Sequence, residues 1–160
     1  MADLITHWSA AVLLKAGIGW RDVPVFVAGS LLPDVLARVP PLAVELLARP
    51  LGGAPPWVSY VWVPMHLPVG MLVLSFSLCL LFPAPRRRVV FANLLGGMAL
   101  HLGLDLLQDH QGVGYQLLFP LWGRPVELGI FGSEDSVLVA PVLAVLALGA
   151  WWRRRSRAPA

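Results

Sequence analysis

The sequence predicts an all-α integral membrane protein: a bundle of about five apolar helices with one short amphipathic helix and a long outer loop. Of its 160 residues 58% are hydrophobic and only 13% are charged, whereas a soluble domain carries about 25% charged residues. Two clusters of arginine each directly follow an apolar segment, as the anchors of membrane helices do. A chain of this length is expected to form a single domain, residues 1–160.

The five apolar segments differ in length, and a full membrane crossing takes about 20 residues, with a range of roughly 17–25. The fifth segment reaches this length, and the third and fourth reach it with their flanking residues. The first two are shorter, and three arrangements stay open for them: a tilted crossing, partial insertion, or packing against the other helices. The segments are Ile5–Ile18, Val23–Leu36, Leu67–Phe82, Val89–Leu107 and Ser136–Trp152.

The stretches between these segments are predicted to contain one short helix and two loops. Residues Leu42–Ala48 are typical of an amphipathic helix, and the glycine- and proline-rich stretch 52–56 is typical of a loop. The stretch Gln111–Gly132 is also rich in glycine and proline, so it cannot be one continuous helix. We expect it to form the long outer loop.

The charged residues predict one orientation in the inner membrane. Arg86–Arg88 and Arg153–Arg157 are expected on the cytoplasmic side, which places the N-terminus outside and the basic tail 153–160 inside. Of the nine acidic residues, only Asp22 then falls inside. Because the arginine clusters flank membrane segments, we expect contact with membrane lipid and no binding of nucleic acid.

Polar residues within the apolar segments gather at one predicted depth, near the outer face. His7 lies in the first segment, Asp34 in the second, His66 just before the third, and His101 and Asp105 one helical turn apart in the fourth. Ionisable groups at membrane depth are energetically costly and mark functional sites. Imidazole nitrogen and carboxylate oxygen are ligands that zinc accepts, so the five residues predict a divalent metal site, with zinc the first choice.

Other uses of these polar residues stay open. A single histidine at a helix end is more often an interfacial hydrogen-bonding residue than a ligand, and Asp109 with His110 fits a solvated helix end better than a ligand pair. The same cluster could begin a proton or ion path. That path would need polar residues toward the inner face, where few are present, so it is the least favoured. Arg38 is interpreted as a snorkelling or loop charge.

Five short motifs, in order along the chain, resemble the YdjM-like membrane-bound metal-dependent hydrolases. Gly29–Val35 is similar to that family's GSLLPDID segment. Leu100–Asp105 is similar to the family's histidine and aspartate four positions apart, a spacing also found in zinc-dependent phospholipase C. The motifs are Thr6-His7, Gly29–Val35, His66, Leu100–Asp105 and Gly114–Trp122.

The resemblance implies a metal-dependent hydrolase that acts on an ester or phosphoester of a small molecule or a lipid, at the outer face of the inner membrane. It implies metal ligands at His7, Asp34, His66, His101 and Asp105. Asp34 could instead be the catalytic general base that takes a proton from the attacking water. The loop Gln111–Gly132 would cover the site.

The chain departs from the family pattern at two expected ligand positions. Leu36 stands where the family has a second aspartate, and Val61 stands where it has the first histidine of its HRGxTHS motif. The five remaining residues suffice for one metal ion. These departures also support an alternative: a non-catalytic structural or partner-binding membrane subunit with a degenerate metal site.

Overall fold

Six α-helices and two very short strands form the regular structure of the described residues, 4–55, 57–132 and 134–157, in this computed structural model. The predicted all-α helical bundle is confirmed. The helices are α1 (Leu4–Ile18), α2 (Val23–Ala48), α3 (Trp57–Trp62), α4 (Pro68–Cys79), α5 (Ala84–Leu106) and α6 (Asp135–Arg157), with 3₁₀ turns at Arg49–Leu51 and Val63–His66, and the strands are β1 (Gln108–Asp109) and β2 (Phe131–Gly132).

Three helices among the described residues are long and apolar enough to cross a membrane. They are Val23–Leu51, Ala84–Leu106 and Val137–Ser156, with 29, 23 and 20 residues. Helices α1 and α4 are apolar but shorter, at 15 and 12 residues. The predicted third segment therefore does not reach spanning length as a helix. The chain turns after α4, and Pro83 disfavours a helical conformation at Phe82 before it.

Helix α2 corrects the prediction of a short second segment and a separate amphipathic helix at Leu42–Ala48. It continues without a break through Pro33, Pro40 and Pro41. A proline removes one helical hydrogen bond, but in a membrane helix the freed groups find other partners and the helix is often kept. Leu42–Ala48 is thus the largely exposed end of α2, and the second segment becomes one of the three spanning helices.

The arginine clusters belong to helices rather than to flanking loops. Helix α5 begins at Ala84, so that Arg86–Arg88 lie in its first two turns, with Pro85 in the first helical turn where a missing N–H costs nothing. Helix α6 extends to Arg157, so the predicted basic tail is helical up to that residue, and 158–160 lie outside the described residues. Positive side chains are favourable at this C-terminal end because they complement the helix dipole.

Close packing between α2 and α5 depends on glycine, which lets two helix backbones approach each other. A Cβ atom on Gly97 would overlap the carbonyl oxygen of Phe26, and one on Gly29 would overlap that of Leu94. With no side chain between them, the two backbones lie in direct contact. This contact sets the position of the C-terminal half of α5 against α2.

The chain after α5 is irregular, which confirms that Gln111–Gly132 is not one helix. Strand β1 pairs in parallel with β2, and Tyr115 forms an isolated bridge with Val126. The backbone N–H of Leu128 donates a hydrogen bond of 2.7 Å to the carbonyl of Leu106 at the end of α5. The loop is therefore attached to the same end of α5 that carries His101 and Asp105.

Candidate metal centre

The five residues predicted as metal ligands lie in one buried cluster. His7 comes from α1, Asp34 from α2, His66 from the 3₁₀ turn before α4, and His101 and Asp105 from α5. His66 is 6% exposed and the other four are 0% exposed. Four separate stretches of chain thus bring their imidazoles and carboxylates together, while ligation itself stays a prediction.

The Asp105 carboxylate is the centre of the cluster. Its Oδ1 lies 3.3 Å from His7 Nε2, and its Oδ2 lies 3.3 Å from the Nε2 atoms of both His66 and His101. Asp34 Oδ2 lies 3.9 Å from His7 Nε2. Ligands at zinc distances of about 2.0–2.2 Å in a tetrahedron are separated by about 3.3–3.6 Å, so the three contacts of Asp105 match that spacing.

Among the described residues, two overlapping sets of three have the spacing of a metal site. One set is His7, His101 and Asp105, and the other is Asp34, His66 and His101; in each, the ligand atoms all lie within 4.8 Å of one another. His101 belongs to both sets. The buried histidines and aspartates could therefore hold a metal ion.

Unpartnered buried atoms provide the test of whether a cation fits. His7 Nε2, Asp34 Oδ2 and Asp105 Oδ1 have no hydrogen-bond partner among the described residues. The 3.3 Å approach of His7 Nε2 to Asp105 Oδ1 lacks the geometry of a hydrogen bond. Because a buried polar atom without a partner costs free energy, three such atoms around one space favour a positive ion there.

Hydrogen bonding determines which nitrogen of His101 faces the cluster. His101 Nδ1 lies 2.8 Å from the carbonyl oxygen of Ser30, which can only accept, so Nδ1 carries the proton and Nε2 offers its lone pair. The Nε2 atoms of His101 and His66 are 2.7 Å apart, a hydrogen-bond distance, so in this arrangement His66 Nε2 donates a proton to the lone pair of His101. The ring of His7 stacks on that of His101 at 3.9 Å, which restrains both orientations.

Tyr115, from the loop after α5, supports the cluster from its outer side. Its hydroxyl donates a hydrogen bond of 2.7 Å to Asp105 Oδ2, and its ring stacks on His66 at 5.8 Å between centroids. Burial and, after it, the charge of Asp105 raise the pKa of Tyr115, which keeps the hydroxyl protonated as a donor. The sequence contains this tyrosine in a recognised motif, but nothing in that pattern indicates its partner.

Arg38 lies closer to the cluster than its interpretation as a snorkelling charge implied. Its Nη2 is 3.5 Å from Asp34 Oδ1, and its side chain is half-exposed while that of Asp34 is fully buried. Arg38 therefore lies between the cluster and the surface. The four-residue spacing from Asp34 on one helix was the signal for this contact.

Asp109 and His110 lie outside the two ligand sets that the described residues form. The Asp109 carboxylate accepts a hydrogen bond from the Gln111 backbone N–H, and the His110 backbone N–H donates to Glu127. Both residues thus contribute to the fold of the loop.

Comparison with known proteins identifies one family. The model of the family described as YdjM inner membrane protein matches residues 3–160. Neither a curated protein nor a solved structure matches the chain. The match agrees with the resemblance found in the sequence, and together with three helices of spanning length it establishes a membrane protein.

Proposed function

The chain belongs to the YdjM inner membrane protein family, and on this premise we propose that it is a membrane-embedded, zinc-dependent hydrolase of esters or phosphoesters. The observation that carries the proposal is the cluster of three unpartnered ligand atoms, on His7, Asp34 and Asp105, buried at the end of a membrane helix bundle. Such a buried arrangement is costly unless a cation compensates it.

The mixture of donors favours zinc. The ion would be held by His7, His101 and Asp105, one of the two sets with the spacing of a metal site, with Asp34 or His66 as a further ligand. Magnesium and calcium prefer oxygen ligands, whereas imidazole nitrogen with one carboxylate suits zinc. A bound zinc ion supplies a Lewis acid and lowers the pKa of a water molecule toward neutrality.

The residues around the cluster have distinct proposed roles. Asp34, whose Oδ2 has no partner, accepts the proton of the attacking water if it is not itself a ligand. The Ser30 carbonyl holds His101 in the tautomer that presents Nε2 to the site. The Tyr115 hydroxyl orients Asp105 through its hydrogen bond.

Arg38 favours a phosphoester over an uncharged ester. Its guanidinium lies beside Asp34 and is half-exposed, so it can contact both the site and a substrate arriving from the surface. A guanidinium binds the paired oxygens of a phosphate group well. In this role Arg38 neutralises the charge of the substrate and aligns it with Asp34.

A nearby cavity favours a substrate with an apolar part. It has a volume of about 290 Å³, and Thr6 and Leu104 in its wall are chain neighbours of the cluster residues His7 and Asp105. Most of its lining is apolar, which suits an acyl chain. The lining residues are Thr6, Leu104, Gln108, Phe131, Asp135, Val139 and Leu143.

The proposed orientation places the cluster at the outer face of the inner membrane. The arginines of α5 and α6 lie at the opposite ends of these helices from the cluster and act as cytoplasmic anchors. The N-terminus is then outside and the C-terminus inside. The proposed partners are membrane lipid and a small-molecule or lipid substrate, without nucleic acid.

Metal content and hydrolysis, measured on the same purified samples, test this function. We expect about one zinc per chain and hydrolysis of phospholipids or simple phosphoesters that a chelator abolishes and zinc restores. His101→Ala and Asp105→Asn should lose both properties. His110→Ala, a histidine outside the ligand sets, should keep its zinc. Hydrolysis that is indifferent to chelator and to both ligand substitutions would refute the proposal.

The second candidate is a non-catalytic subunit with one structural metal. Leu36 and Val61 favour it, because they are apolar where the family pattern has an aspartate and a histidine. Val61 is also half-exposed rather than directed into the cluster. Zinc bound at one per chain, with no hydrolysis of any phosphoester or carboxylic ester, would support this candidate over the enzyme.

A further inference from the structure

A second cavity, with a polar lining, lies at the opposite end of the bundle from the metal centre. It is an open cleft with a volume of about 490 Å³, and it lies between the turn from α1 to α2, the start of α5 and the end of α6. Along α5 it is about 22 Å from His101, at 1.5 Å per residue. The lining residues are Trp20, Arg21, Asp22, Pro85, Arg86, Val89 and Arg154.

The cavity carries an excess of positive charge. Arg21, Arg86 and Arg154 come from three different elements, and Asp22 is the single acid in the lining. Asp22 Oδ1 accepts a hydrogen bond of 2.7 Å from Arg86 Nη2, so one arginine is neutralised. Two positive charges remain, and the N-terminal end of α5 adds the partial positive charge of its dipole.

Contacts with aromatic rings hold one of these arginines in place. Arg154 Nη1 donates a hydrogen bond of 3.2 Å to the carbonyl of Trp20, and its guanidinium lies 4.9 Å from the centre of the Trp20 ring. The rings of Trp20 and Trp151 in turn pack edge to face, with their centroids 6.0 Å apart. The charge at Arg154 is therefore positioned before any anion arrives, which reduces the entropy cost of binding.

We propose that this cavity binds the phosphate headgroup of an anionic phospholipid of the surrounding membrane. Basic pockets between membrane helices have the charge and depth that such headgroups require. The proposal is independent of the hydrolase, because it uses none of the residues of the metal centre. The arginine-bearing end of the bundle would then bind one lipid at a specific site, in addition to being attracted to the membrane surface in general.

Apolar surface next to the cavity favours a lipid over a free phosphate ion. Val89, in the lining, is 42% exposed. Only 11% of the apolar stretch of α6 is buried within the protein. Most of the helix leading away from Arg154 is therefore available to contact acyl chains. Trp20 and Trp151 have the amphipathic rings that are typical of the membrane interface. A free phosphate would use the arginines but none of this apolar surface.

Two double variants of equal net charge separate a defined site from general electrostatics. The test variant, Arg21→Gln with Arg154→Gln, removes the two cavity arginines that are not paired with Asp22. The control variant, Arg88→Gln with Arg153→Gln, removes two exposed arginines outside the cavity lining. Each full-length protein is purified in a neutral detergent and titrated with dioleoyl phosphatidylglycerol, dioleoyl phosphatidylcholine or inorganic phosphate. Native mass spectrometry counts bound lipid, and thermal unfolding measures stabilisation.

We expect the parent protein to retain phosphatidylglycerol in preference to phosphatidylcholine. The test variant should bind it about tenfold or more weakly, as the loss of two charges near a headgroup predicts, and the control variant should resemble the parent. Unfolding without added lipid checks that each variant is folded. If the double test variant is unfolded, Arg21→Gln alone, on an exposed side chain, replaces it.

Three results would overturn the proposal. Equal losses in the test and control variants would show general attraction to anionic lipid rather than a site. Equal retention of the two lipids by the parent would exclude recognition of the anionic headgroup. Displacement of phosphatidylglycerol by millimolar inorganic phosphate would assign the cavity to a free anion.

Discussion

Substitution of Gly97 by alanine tests whether the close contact of α2 and α5 holds both the fold and the metal centre. The new Cβ would overlap the carbonyl oxygen of Phe26 and approach the backbone nitrogen of Ser30 to 2.7 Å. These are backbone atoms, so they cannot yield as a flexible side chain does, and the helices must separate. Ser30 also provides the carbonyl that holds His101, so the displacement would reach the metal centre.

The expected loss of unfolding free energy in Gly97→Ala follows from this overlap. Added methyl groups in well-packed cores cost about 1–3 kcal/mol, and a clash with backbone places Gly97→Ala at the upper end, near 3 kcal/mol. Gly103→Ala is the matched control on the same helix, since nothing lies within 4 Å of its Cβ. Alanine is the better helix former, so this control should gain about 0.5–1 kcal/mol.

Unfolding by sodium dodecyl sulfate in mixed micelles, followed by circular dichroism, gives the free energy of unfolding of each variant. The two substitutions should differ by about 3–4 kcal/mol, with opposite signs relative to the parent. Zinc content measured on the same samples should fall in Gly97→Ala alone. Equal and small effects of the two alanines would refute the inference that helix contact positions His101.

Further substitutions test individual contacts of the metal centre. Tyr115→Phe removes the hydrogen bond to Asp105 and should weaken zinc binding about 10–100-fold in a chelator competition, and an unchanged affinity would show that the hydroxyl has no part in it. Arg38→Gln should lower kcat/KM for phosphoesters while zinc content stays the same, because Arg38 contacts Asp34 and is assigned to the substrate; equal activity would remove Arg38 from the proposal. His7→Ala should reduce zinc affinity, since its Nε2 has no other partner, and full affinity would exclude it as a ligand.

The sequence predicted the helical membrane bundle because composition and charge act over whole segments. Apolar runs followed by arginine have few alternatives to membrane helices, and those runs correspond to α1, α2, α4, α5 and α6. The ends of the helices were less predictable. Prolines at 33, 40 and 41 ordinarily end a helix, yet α2 continues through them, whereas α4 ends earlier than its apolar run.

The meeting of the site residues was predictable because each is costly where it lies. A histidine or aspartate within an apolar segment needs a partner, and the shared depth of five such residues indicated that they partner one another. The supporting contacts were not predictable in the same way. The Ser30 contact uses a backbone carbonyl, which no residue type reveals, and the Tyr115 contact depends on how an irregular loop folds back onto α5.

X-ray absorption at the zinc edge, on protein purified in detergent without added metal or chelator, tests the metal centre most directly. We predict about one zinc per chain, surrounded only by nitrogen and oxygen at about 2.0–2.2 Å with the outer-shell scattering of imidazole, and loss of that signal in His101→Ala. A parent protein without zinc, or zinc bound to sulfur at about 2.3 Å through Cys79, would contradict it.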